Sequence, residues 1–127
     1  STPLNGTVSA RLTHQASINQ SFKQTPAVPE IFRNKNVTIK LTVKSAATAG
    51  NVRLTVVDET NTVTLIDAEA VQITNEAGGV QSSFSFDMPA TCASLSYEVV
   101  ALPEAGSPIT RVDDISIELT DLSAVQN

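Results

Sequence analysis

The clearest pattern along the chain is strict alternation. Val37-Thr38-Ile39-Lys40-Leu41-Thr42-Val43 is apolar at every odd position and polar at every even one, the period of a strand with one face in a core and the other in water. Val52-Arg53-Leu54-Thr55-Val56-Val57 repeats it, and the small flexible link from Ser45 to Asn51 predicts that these two strands pair as an antiparallel hairpin. Phe84, Phe86 and Met88 fall at alternate positions before Pro89, so three large side chains share one face and read as core. Leu95, Tyr97, Val99 and Ala101 alternate again. Weaker patterns over Val8, Ala10 and Leu12, and from Ile18 to Phe22, predict two short strands near the start.

Between these runs lie breakers. Gln24 to Asn34 carries two prolines that remove ladder donors, which predicts a loop crossing between sheets. Asp58-Glu59-Thr60-Asn61, Asn75-Glu76-Ala77-Gly78-Gly79 and Pro103 to Pro108 are turn clusters. Val63 to Ile66 and Val71 to Ile73 read as two weaker strands around Asp67-Ala68-Glu69-Ala70. With the closing run Arg111 to Leu119, the total is eight or nine short strands and no amphipathic helix. That pattern predicts an all-β fold, a two-sheet antiparallel β-sandwich or jelly roll, as one domain over 1–127 with an ordered core from about 7 to 120.

The closing run poses a problem of parity. Counting back from Leu119 through Ile117 and Ile115, the core-facing positions continue to Asp113 and Arg111, and a buried charge needs a partner or an ion. Asp113 therefore pairs with Arg111 or a backbone amide, sits at a bulge that turns it to solvent, or ligates a hard cation such as calcium.

Composition narrows the function classes. Val, Ile, Leu, Thr and Ser dominate, and 13 acidic against 8 basic residues leave a net charge of −5. An acidic chain without a basic stripe is a poor nucleic-acid binder, and no apolar run approaches the roughly 20 residues of a membrane span, so neither nucleic acid nor membrane insertion is expected. Cys92 is the only cysteine, which excludes an internal disulfide; it reads as a small buried thiol. His14 is the sole histidine and reads as a half-exposed strand residue, so no histidine triad exists within the chain. The pairs Asp58/Glu59, Asp67/Glu69 and Asp113/Asp114 do not read as acid/base pairs, because adjacent strand residues point to opposite faces and solvated turns explain Asp58 and Glu59. No catalytic group emerges, and the chain reads as non-enzymatic.

Ile18-Asn19-Gln20-Ser21-Phe22, Asn36 to Ser45, Phe84-Ser85-Phe86 and Val112-Asp113-Asp114-Ile115-Ser116-Ile117 resemble, in order and spacing, the jelly-roll carbohydrate-binding modules of families 4, 9 and 22. The resemblance implies a β-sandwich with a structural calcium, and Asp113 matches the family's calcium-binding aspartate on the last strand. The family's other calcium ligands come largely from a first strand with no counterpart in residues 1–7. Sugar-binding faces of such modules stack aromatic rings on pyranoses, whereas this chain has no Trp, one Tyr and four Phe. Glycan binding would fall to polar side chains such as Asn19, Gln20 and Gln81.

Similar jelly-roll modules also look like building blocks of phage virions, as fibre, appendage or capsid-decoration domains. The low aromatic content and the Ala/Thr/Ser/Val-rich composition fit that use. The expectation is a virion module, assembled as a homo-oligomer or with other virion proteins and binding cell-surface glycan weakly if at all; the alternative is a carbohydrate-binding module of a secreted glycoside hydrolase.

Overall fold

A computed structural model of the chain describes residues 9–120. Eight strands run in order: β1 Ala10–Thr13, β2 Gln20–Gln24, β3 Asn36–Ser45, β4 Val52–Asp58, β5 Val63–Ala70, β6 Val80–Asp87, β7 Leu95–Ala101 and β8 Ile109–Leu119. They form two four-stranded antiparallel sheets, β1-β8-β3-β6 and β2-β7-β4-β5. The fold is the predicted all-β sandwich. Val8, predicted to open the first strand, lies outside the described residues.

The core forms where the alternating apolar positions of both sheets meet. Val37, Ile39, Leu41 and Val43 of β3 are fully buried, as are Val52, Leu54 and Val56 of β4 and Leu95, Tyr97, Val99 and Ala101 of β7. Phe86 and Met88 are buried, while Phe84 is partly buried and packs against the core. Every side chain on the other parity of β3, from Thr38 to Lys44, must therefore face out.

Three expectations are corrected. β3 and β4 do not form a hairpin: they lie in opposite sheets, because identical periodicity marks the half-buried face and says nothing of the partner. The two weak strands predicted around residues 67–70 are instead one strand, β5, that runs through them, with register shifts against β4 and a positive φ at Ala68; those bulges break the alternation. Val71 to Ile73 is not a strand, although Val71 is buried and its N–H donates to the Val52 carbonyl. Finally, the second strand starts at Gln20, leaving Ile18 exposed.

The crossing loop from Thr25 to Lys35 holds a single 3-10 turn, Glu30–Phe32, that inserts the Phe32 ring into the core. Gly79 ends the turn before β6 at φ +70°, where an added Cβ would stand 2.7 Å from the Val43 carbonyl oxygen. Only glycine fits so close a backbone approach.

Candidate functional site

β8 changes face in mid-strand. Upstream, Thr110 and Val112 are buried; downstream, Ile115, Ile117 and Leu119 are. The parity switch is a bulge at Asp113-Asp114: the β3–β8 register slips between Lys40 and Thr42, and Asp114 takes φ +53°, a left-handed conformation that Asp tolerates better than most residues. Arg111 and Asp113 are consequently exposed, so the inward placement obtained by counting back from Leu119 is corrected and the bulge reading holds.

With the bulge in place, the outer face of the β1-β8-β3-β6 sheet becomes a grid. One row sets Arg11 of β1 opposite Arg111 of β8, which is opposite Lys44 of β3. The next holds Asp113, Thr42 and Gln81, each opposite the one before. Beyond it lie Ser116, Lys40 and Ser83, then Glu118, Thr38 and Ser85.

The rows differ in how their charges are met. Lys40 Nζ is 3.4 Å from a Glu118 carboxylate oxygen, and the Thr38 hydroxyl is hydrogen-bonded to those of Ser85 and Thr120 at 2.9 and 2.7 Å. Among the described residues the arginine row has no counter-ion: the ion pairs are Lys40–Glu118 and Lys23–Glu59 on the other sheet. Lys44 Nζ donates to the neutral Asn75 Oδ1 at 3.1 Å. Asp113, the nearest carboxylate on the face, accepts from Ser9 Oγ at 2.7 Å and from the Asp114 backbone N–H at 3.0 Å; it caps the bulge instead of pairing with Arg111. Arg111 is the wall shared by two shallow depressions of about 300 Å³ each, one lined by Arg11 and Asp113, the other by Lys44 and Asn75.

Asp113, the calcium ligand implied by the resemblance, belongs among the described residues to no group of three or more His, Cys, Asp or Glu side chains, and Arg11 and Arg111 line the same depression. Residues 1–7 lie outside the described residues.

The expected glycan residues are not brought together. Gln81 lies on the grid and is exposed. Asn19 is exposed before β2, and Gln20 is half-buried at its start, opposite the buried Ala101 on the core-facing side of the other sheet. All five aromatic rings point inward: Phe32, Phe86 and Tyr97 are buried, and Phe22 and Phe84 pack against the core. Neither outer face carries a ring to stack on a sugar.

Two buried polar clusters are structural. His14, expected half-exposed, is fully buried. Its Nδ1 lies 2.8 Å from the Leu102 carbonyl, which can only accept, so Nδ1–H donates there; Nε2 is hydrogen-bonded to Thr110 Oγ1 at 2.7 Å, and Thr110 to Ser45 Oγ at 2.8 Å. Asp58, expected in a solvated turn, is also buried. Burial raises its pKa, but hydrogen bonds from the Asn61 side chain and backbone, the Cys92 thiol and the Thr60 backbone outweigh this and hold it below the ordinary carboxylate value. Cys92 is buried, as expected, and burial beside Asp58 pushes its thiol up to about 12, the reverse of what a nucleophile needs.

No family model and no curated protein matches the chain. Solved structures do match its fold. A family 4 carbohydrate-binding module superposes with a TM-score of 0.57 at 17% identity over 79% of this chain, which spans 61% of that structure's length. A family 61 module in complex with β-1,4-galactotriose gives 0.62 at 10% identity, covering 87% of this chain and 70% of that one. The enzymatically active domain of tailspike protein 4 from bacteriophage CBA120 gives 0.53 at 7% identity, covering 91% and 20%. The chain thus shares its jelly-roll sandwich with both carbohydrate-binding modules and a phage tailspike.

Proposed function

We propose that the chain is a non-catalytic structural or attachment module of a virion, displayed in several copies and located on the particle. One observation carries this reading: every ring is turned into the sandwich, so the face that would stack neutral pyranoses is missing although the fold is that of sugar-binding modules. Many weak contacts suffice for such a module, because repeated display multiplies them. A carbohydrate-binding module of a secreted glycoside hydrolase is the second reading, favoured by the likeness to the family 4 and family 61 modules.

Sedimentation equilibrium together with affinity electrophoresis through cellulose, β-glucan and galactan separates them. The virion reading expects a homo-oligomer that no neutral polysaccharide retards. A monomer held back by any of the three would reverse the order.

A further inference from the structure

Arg11, Arg111 and Lys44 stand directly opposite one another on three adjacent strands, a span of roughly two strand spacings, or about 10 Å. Like charges so placed repel, and sheets ordinarily avoid them. This chain carries 13 acidic residues against 8 basic ones, yet it gives the two guanidiniums no hydrogen bond or ion pair among the described residues, while the cation two positions along β3 from Thr42, Lys40, has Glu118. Arg33 and Arg53 by contrast are spent on backbone carbonyls. The arginine row is a charge held open.

We propose that this face binds an acidic saccharide, its carboxylate held by Arg11 and Arg111 with Lys44 beside them, and its hydroxyls met by Thr42 and Gln81 in the next row. The planar guanidinium fork matches a carboxylate's two oxygens, giving short, charge-assisted and directional bonds. Several features favour a saccharide over an acidic protein segment. The neighbouring positions are hydroxyls and amides, and the exposed large apolar residues Ile18, Ile31 and Val63 all lie away from this face; a protein partner would want an apolar or aromatic centre. The depressions on either side of Arg111 are shallow and open at the surface, so they fit a chain lying along the face. Recognition then needs no aromatic platform, since charge replaces stacking. The proposal rests on the attachment reading above and names what such a module would attach to.

The test is titration calorimetry at low ionic strength with polygalacturonate, alginate and hyaluronate, alongside methyl-esterified polygalacturonate as the neutral form of the same chain and poly-glutamate as carboxylate without sugar. The expected result is binding to at least one acidic polysaccharide, abolished by esterification and at least tenfold weaker for poly-glutamate. Arg11→Gln and Arg111→Gln should each weaken it about tenfold, the loss of one charge-assisted contact, and Gln81→Ala severalfold. Lys40→Gln should leave it unchanged. Failure of all three acidic polysaccharides, equal binding of the esterified chain, or equal loss in Lys40→Gln overturns the proposal. Equal binding of poly-glutamate also overturns it and points to an acidic protein segment. If acidic polysaccharides fail while the protein still sediments as a homo-oligomer that neutral polysaccharides do not retard, this proposal falls and the attachment reading stands.

Discussion

The two halves of β8 share one strand and one partner, β3, but do different work. Downstream of Asp114, Ile115, Ile117 and Leu119 are sealed in the core, and the outward residue Glu118 is matched by Lys40. Upstream, the core-facing positions are the small Thr110 and Val112, and the outward ones are a capped carboxylate and an unmatched guanidinium. A single extra residue separates a half built for stability from a half built to present charge. Bulges are a standard means of re-aiming side chains near functional surfaces.

Deleting Ser116 should have the largest effect. It makes Ile115 and Ile117 neighbours, which must then point to opposite faces, so one of them leaves the core. The expected outcome is loss of cooperative unfolding and of amide dispersion in the NMR spectrum. Deleting the extra residue Asp114 instead leaves Val112-Asp113-Ile115 in unbroken alternation and should keep both faces in place. Ile117→Ala comes next. Ile117 is fully buried, and truncating such a residue costs about 2–5 kcal/mol, whereas Lys40→Ala on the opposite face should cost under about 1 kcal/mol; urea unfolding midpoints measure both.

The alternation behind this comparison was largely legible. Strands β3, β4, β6 and β7 announce themselves because each has one apolar and one polar face. Partnership was not legible: β3 and β4 look like a hairpin because period carries no information about which sheet a strand joins. Parity also fails at a bulge, since counting from Leu119 assumes that no residue is extra, and nothing in Asp113-Asp114 alone marks the φ of +53° that makes Asp114 extra. The Arg11–Arg111–Lys44 row was invisible for the same reason, being defined only by register across residues 100 and 67 positions apart in sequence. His14 was misjudged because its partners, Leu102 and Thr110, are 88 and 96 residues away.

Acid lability should come from outside β8. The folded pKa of Asp58 lies below its ordinary value of 3.8, so the stability it contributes is present above about pH 4 and lost as pH falls through the folded value. Asn61→Ala removes one of the bonds holding that pKa down. It should cost about 1–2 kcal/mol at pH 7 and flatten the loss of thermal stability below pH 4; an unaltered pH profile would assign acid sensitivity elsewhere.

Asp113→Ala should cost less, about 1 kcal/mol, for the Ser9 contact and the bulge cap. The melting temperature of the unsubstituted protein should be the same with and without a calcium chelator, and a chelator-sensitive melt would support calcium at Asp113.

The smallest effect is the most direct test of the unmatched upstream half. In a double-mutant cycle of Arg11→Gln and Arg111→Gln, unfolding free energies at low ionic strength should show a repulsive coupling of about 0.2–1 kcal/mol, each single substitution stabilising the fold, and the coupling should fade as added salt shortens the screening length. Zero or attractive coupling at low salt would contradict the account, because it would mean that the two guanidiniums are already neutralised or do not share the face.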